Sequence, residues 1–289
     1  MPTDQTMPIS RETFEWVRDM VRRRAAIVLE DGKEYLVESR LGPLARARSC
    51  LSIDAMIATA RGRPDLVLER DIIEAMTTNE TSWFRDVHPF EALKVHVLPE
   101  VIARRQAERR IRIWCAACSS GQEPYTIAMT VREHFPSLRD WDVTILGTDI
   151  SREMVERSAR GQYGQIEMNR GLPASLLIKY FDKSGMHWQV KPILAGMCEF
   201  RELNLIERWG SLPEMDIIFL RNVLIYFDVA TKKQIISGMA RILPPWGYLF
   251  LGGAETTLNL DVGFERVQLD RAGCYRPTAA GGRLAISGR

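Results

Sequence analysis

Residues 111–125 read IRIWCAACSSGQEPY, and their types and spacing suggest ligand chemistry. Ile111, Ile113 and Trp114 form an apolar run, five small residues from Ala116 to Ser120 follow, and Gly121 closes the stretch. Small side chains after a strand let the backbone approach a ligand, and the N–H groups that open the next helix point the same way. Glu123 suits a first helical turn because an acid complements the helix dipole, and Pro124 because it loses no hydrogen bond there. A second apolar run, Val143 to Leu146, ends at Gly147-Thr148-Asp149. This puts an acid 28 residues past Gly121, where it could accept both hydroxyls of a ribose. A helix N-cap ahead of 151–160 is the other role open to Asp149, and Ser151 could equally fill that role.

Several chemistries are excluded or set aside. A dinucleotide fingerprint needs three glycines where this turn has one, and a P-loop needs a lysine after Gly121. Trp114, Cys115 and Cys118 spell W-C-x-x-C, which resembles the redox motif of thioredoxins, but that motif belongs to a small domain. Here the chain is long and repeats β-then-α, so both cysteines are expected to be small apolar fillers. The five cysteines are odd in number and scattered, which fits a reducing cytoplasm better than a disulfide framework. Four histidines, none in a ligand-like pair, argue against a metal site. A net charge of +2 gives no field for nucleic acid. No apolar run is long enough to insert in a membrane, and the N-terminus lacks a signal-peptide core.

The 289 residues, 46% hydrophobic and 26% charged, suffice for one large α/β domain and a smaller one. Residues 10–75 show helical periodicity without strands: 10–23, 35–48, 53–60 and 65–76. Their polar faces carry many arginines, among them Arg18, Arg22, Arg23, Arg40, Arg46 and Arg48. TTNETSWFRDVH, 77–88, looks like a linker. Its adjacent Trp83 and Phe84 should pack across the second domain. A helix is expected over 90–105, then the strand at 111, a helix through 127–135, the strand at 143, and helices over 151–160 and 172–181. Gly185, Pro192 and Gly196 break 184–199 into a small antiparallel insertion before a third strand, 200–205. DIIFL, 216–220, is a fourth strand, followed by Arg221, Asn222 and the run 223–227. A helix over 230–243, a fifth strand over 248–251 and a hairpin of 264–269 with 273–276 complete the α/β domain. Residues 279–289 read as a mobile tail.

A β/α sheet with a small-residue first turn, an acid after strand two and a closing antiparallel hairpin resembles the Rossmann-like Class I S-adenosylmethionine-dependent methyltransferases. More specifically it is similar to the chemotaxis receptor methyltransferases, the CheR family. The resemblance rests on TTNETSWFRD, the W-x-A-A-x-S-x-G-x-E-P-Y form of the first turn, LGTDIS, FRELNL and FLRNVLIYFD at 219–228. These segments span nearly the whole chain, behind an all-helical N-terminal domain. The implied division is 1–78 for receptor docking and 79–278 for S-adenosylmethionine binding and catalysis, including the linker 79–90 and the β insertion 184–199.

The resemblance implies that Asn79, Thr81 and Arg85 contact S-adenosylmethionine, Arg85 near its methionine end. Glu123 would contact the methionine portion, Asp149 the ribose, Asn204 and Leu205 the adenine, and Arg221 with Asn222 would line the pocket. Tyr226 is implied to lie near the transferred methyl, so that Arg85 and Tyr226 orient the acceptor. The implied acceptor is a glutamate on cytoplasmic helices of methyl-accepting chemotaxis receptors, leaving S-adenosylhomocysteine and a methyl ester. Arg40 and Arg46 fall where the family keeps its receptor-facing arginines. The insertion 184–199 looks short and lacks a clear glycine-rich loop, so dependence on a receptor C-terminal pentapeptide is not expected. A cytoplasmic monomer is expected. Two alternatives stay open: a methyltransferase of another substrate, and a signalling scaffold that binds S-adenosylmethionine without turnover. Against amino methylation, Arg221-Asn222-Val223-Leu224 stands where such enzymes carry [DNS]-P-P-[YFW].

Overall fold

The computed structural model describes residues 8–63, 65–210, 212–257, 260 and 263–278; the expected tail 279–289 lies outside them. The chain divides into two compact units, Met1–Thr78 with Tyr226–Asp228, and Asn79–Ile225 with Val229–Arg289.

The first unit holds α1 (Arg11–Ala25), α2 (Glu34–Ala47), α3 (Ile53–Gly62) and α4 (Leu66–Met76). Their starts follow from local chemistry. The Ser10 hydroxyl accepts the Thr13 N–H, Ser52 accepts from Ala55, and the Asp65 carboxylate accepts from Val67 and Leu68. The apolar stripe of α1 (Phe14, Val17, Met20 and Val21) packs into a core with Val37 and Leu41 of α2, Ile57 of α3 and Ile72 of α4. Two tethers hold the Tyr226–Asp228 segment in this unit. The Val28 N–H donates to the Tyr226 carbonyl at 3.0 Å, and Arg22 pairs with Asp228 at 3.3 Å.

The second unit opens with α5 (His88–Ala92) and α6 (Leu98–Arg104), separated by a π turn over Leu93–Val97. The expected continuous helix over 90–105 is therefore interrupted. Pro99 cannot donate to the carbonyl four residues back, and the Leu98 N–H instead reaches the Leu93 carbonyl in the wider turn. Then come β1 (Arg110–Ala116), α7 (Gln122–His134), β2 (Asp142–Asp149) and α8 (Arg152–Arg160). They are followed by β3 (Gln162–Gly164), α9 (Gln165–Met168), α10 (Ala174–Tyr180), β4 (Phe181–Ser184), β5 (His187–Val190), α11 (Pro192–Ala195) and β6 (Cys198–Glu202). The unit closes with β7 (Ile217–Leu220), α12 (Val229–Ile242), β8 (Tyr248–Leu251), β9 (Phe264–Leu269) and β10 (Ala272–Pro277).

Seven strands form one sheet in the order β6-β2-β1-β7-β8-β10-β9. The first five run parallel and β10 joins β8 antiparallel, as the hairpin expectation requires. All four residues of β7 and of β8 are buried, the pattern of strands covered on both faces. The insertion is larger than its expected span. Residues 162–164 and 181–184 pair with β5 to make a three-stranded sheet, β3-β5-β4. Gln162–Gly164 is too short to show a period-two pattern, so only its long-range pairing reveals it as a strand. The third parallel strand runs from Cys198 to Glu202, starting two residues and ending three residues earlier than expected. Asn204 and Leu205 thereby lie in the loop beyond it.

Candidate active site

Strand order reverses between β1 and β7, and ligands of open α/β sheets bind outside the carboxyl ends of the strands at that switch point. The turn after β1 is built for close approach. Ala117, Ser119 and Gly121 all take positive φ (61°, 51° and 92°), a conformation that two of them adopt against steric preference. Neighbours hold it there. The Cys118 N–H donates to the Thr148 carbonyl (2.9 Å), the Ser158 hydroxyl to the Ser119 carbonyl (2.9 Å), and the Tyr163 hydroxyl to the Ser120 carbonyl (2.7 Å). A Cβ on Gly121 would lie 2.9 Å from Ser158 Cβ and 3.0 Å from the Tyr163 hydroxyl oxygen, so no larger residue fits.

Asp149 is buried at the end of β2. Its Oδ2 accepts the Ser119 N–H at 2.8 Å and its Oδ1 the Ser151 N–H at 3.0 Å. It is not the helix N-cap, which is Ser151; its two bonds tie the β1 turn to the start of the α8 segment. An ionised carboxylate only accepts hydrogen bonds, the chemistry that the hydroxyls of a ribose diol require. The Ser119 hydroxyl donates to the Asn79 carbonyl (2.9 Å), joining the linker to the same turn.

The linker is folded tightly onto the sheet unit, as its aromatics suggest. Trp83 is fully buried, edge-on to Tyr163 (4.9 Å) and Phe181 (5.3 Å), and its backbone N–H donates to the Arg170 carbonyl. A Cβ on Gly171 would strike the Trp83 carbonyl oxygen. Beyond it Phe84, Asp86 and Val87 all have positive φ (49°, 67° and 47°), a strained run for non-glycine residues and worst for β-branched Val87.

Arg221 stabilises that run. Its side chain is buried at the end of β7, its guanidinium 5.5 Å from the Phe90 ring centroid. Nη1 donates to Glu123 Oε2 at 2.7 Å, and Nη2 donates to Asp86 Oδ2 (2.7 Å) and the Arg85 carbonyl (2.8 Å). One fork thus joins β7, the α7 N-terminus and the linker. The Arg85 guanidinium donates to the Glu80 carbonyl at 2.7 Å, within its own segment.

The loop after β7 bends at Asn222, φ 58°, and a buried carboxylate, Glu255, accepts the Asn222 N–H at 2.8 Å. Across the sheet, half-buried Asn204 accepts the Ile206 N–H and donates to Glu207, and the Leu205 carbonyl accepts from Trp209. Thr81 is half-buried in the linker.

The sheet unit therefore forms two bonded groups: Asn79 and Asp149 meet at Ser119, and Glu123 and the Arg85 backbone meet at Arg221. Arg40, Arg46 and Tyr226 belong to the helical unit. There Arg40 donates to the carbonyls of Met76 and Thr77 and to the Thr78 hydroxyl, capping the end of α4, while Arg46 is exposed. Sequence reasoning assigned no role to Asp86, Ser119 or Glu255. An acid in LGGAE, directly after an apolar strand, was the available signal for Glu255. Cys115 and Cys118 are buried, and burial pushes both thiols well above their ordinary pKa. A thiol so held does not form the thiolate that redox exchange needs, which leaves them as packing residues.

Acids at Glu123 and Asp149, a backbone turn open to close approach and a strand-order switch suit a nucleoside carrying an ammonium and a diol. These features define a Class I methyltransferase domain. Residues 79–272 match the family described as CheR methyltransferase, SAM binding domain, and 12–77 match its all-alpha domain. The chain belongs to the CheR methyltransferase family, and its methyl donor is S-adenosylmethionine. It is 41% identical over 278 residues to chemotaxis protein methyltransferase 1 of Pseudomonas aeruginosa, covering 93% of this chain and 99% of that one. Chemotaxis protein methyltransferase Cher2 of Pseudomonas putida is 40% identical over 260 residues (88% and 94% covered), and chemotaxis protein methyltransferase 1 of Vibrio cholerae 40% over 275 (93% and 98%). Among the described residues, no helix is long and apolar enough to cross a membrane.

Proposed function

We propose that this chain methylates glutamate side chains on the cytoplasmic helices of methyl-accepting chemotaxis receptors, forming methyl esters, as a cytoplasmic monomer. The observation that carries this reading is the buried Asp149, locked by Ser119 and Ser151 at the switch point in a chain of this family. Bound S-adenosylmethionine supplies a methyl group already activated by a sulfonium. Asp149 accepts the ribose hydroxyls, and Glu123, oriented by Arg221, faces the methionine ammonium. Asn79, Thr81, Asn222, Asn204 and Leu205 complete the donor's surroundings, the last two beside the adenine.

A glutamate acceptor has a reference pKa near 4.3. It is ionised at neutral pH, so no residue of this chain needs to act as a base. Holding the reactants in line and excluding water can supply roughly 7–11 kcal/mol of the barrier. Arg85 and Tyr226 orient the acceptor carboxylate. Exposed Arg46 attracts the glutamate-rich receptor helices. Arg40 adds charge to α2 while its fork is spent on the end of α4. Transfer needs no receptor pentapeptide, so calorimetric titration with such a peptide gives no heat. The test of the activity is transfer of labelled methyl from S-adenosylmethionine to receptor-bearing membranes. A base-labile product on receptor supports the reading; label on nucleic acid or small molecules, or none at all, refutes it.

A further inference from the structure

Glu255 is a charged residue buried beside the ends of two adjacent parallel strands, and each of its oxygens has its own task. Oε2 accepts the Asn222 N–H (2.8 Å) and the Gly252 N–H (2.7 Å), while Oε1 accepts the Leu224 N–H (2.7 Å). Asn222 begins the loop after β7 in a left-handed conformation. Leu224 opens a short 3₁₀ turn, Leu224–Tyr226. Gly252 makes room for this arrangement. A Cβ there would lie 2.7 Å from Glu255 Oε2, 2.8 Å from Asn222 Nδ2 and 2.9 Å from Asn222 N.

We propose that Glu255 is a positioning residue that serves both substrates at once. Oε2 fixes Asn222 on the donor side, and Oε1 fixes the turn that presents Tyr226 on the acceptor side. This rests on the roles of Asn222 and Tyr226 given above. Only a carboxylate can do both, since ionised it accepts all three N–H groups and donates nothing. A glutamine side chain has one accepting end. Turned with its oxygen toward Asn222 and Gly252 it keeps two bonds and points its NH₂ at the Leu224 N–H; turned the other way it keeps one. The first orientation is therefore preferred, and Glu255→Gln releases the acceptor side while sparing the donor side. Gly252→Ala does the reverse, pushing on Oε2 and Asn222 and leaving Oε1 in place.

The experiment compares wild type, E255Q and G252A by three readouts: calorimetric affinity for S-adenosylhomocysteine, kcat on receptor membranes, and amide exchange of the peptide spanning 222–226. For E255Q, affinity stays within about twofold while kcat falls about tenfold, the loss of one charge-assisted bond. Exchange accelerates in 222–226 alone. For G252A, S-adenosylhomocysteine affinity falls about tenfold. The inference is overturned if E255Q keeps wild-type kcat, if its affinity and kcat fall together, if exchange rises across the whole sheet, or if G252A binds normally. If wild type itself fails to methylate receptors, the proposed function falls, and the exchange pattern of E255Q still decides whether Glu255 holds the turn.

Discussion

Replacing Arg221 with methionine tests whether one guanidinium holds the linker, the α7 N-terminus and β7 together. Methionine keeps the bulk of the stem and removes all three donors. The cost is set by what is left behind. The Glu123 side chain is only 13% exposed, so its carboxylate becomes a nearly buried charge without its partner, an effect of about 3–5 kcal/mol. Asp86 is 49% exposed and re-solvates, so that bridge adds under about 1 kcal/mol. At about 2–4 °C per kcal/mol for a unit of this size, Tm should fall by roughly 10 °C or more. The decisive comparison is R221M with R221M/E123Q by urea unfolding and calorimetry. Neutralising the orphaned acid should recover more than half of the loss, because the penalty lies in the charge and not in the packing. Arg221→Met within about 1 kcal/mol of wild type, or a double variant no better than the single, refutes this assignment of the clamp.

Tyr226→Phe should lower turnover on receptor membranes while leaving S-adenosylhomocysteine affinity nearly intact; unchanged turnover removes the hydroxyl from the mechanism. Cys115 and Cys118, buried with raised pKa values, should resist thiol reagents in the native protein at pH 8 and react only in denaturant, and rapid native labelling would contradict their burial. Arg46→Ala should weaken receptor binding most at low ionic strength, since exposed charges are screened within about 8–10 Å; an equal loss at every salt concentration rejects the docking role. Arg40→Ala should instead lower the stability of the helical unit, because three oxygens at the end of α4 lose their donor. Burial alone would raise the Asp54 pKa, but the Thr13 and Ser10 hydroxyls and the Ser10 N–H overcome that and hold it below the usual carboxylate value. Its stabilisation is therefore present above the unfolded pKa and lost as pH falls through the folded one. Asp54→Asn should flatten that acid-side slope in a circular-dichroism titration, and an unchanged slope counts against the network.

The elements and the donor turn were legible in the sequence because they depend on neighbours along the chain. Ser10, Ser52 and Asp65 announce helix starts within three residues of the N–H groups they accept, and the small run 116–121 states its own tolerance for close approach. Tyr248–Leu251 emerged with the expected ends, as a buried strand between a proline-glycine turn and a glycine pair should. What tertiary structure decided are pairings between residues far apart in the chain. Arg221 meets Glu123 across 98 positions and Asp86 across 135, and Glu255 meets Asn222 across 33. None of these follows from periodicity, because each exists only once the strand order β2-β1-β7-β8 sets the carboxyl ends side by side. The same applies to Asp149, whose type and position mark a ligand site. Only the folded turn adds that its carboxylate also holds that site together, since the amides it binds come from two different connections.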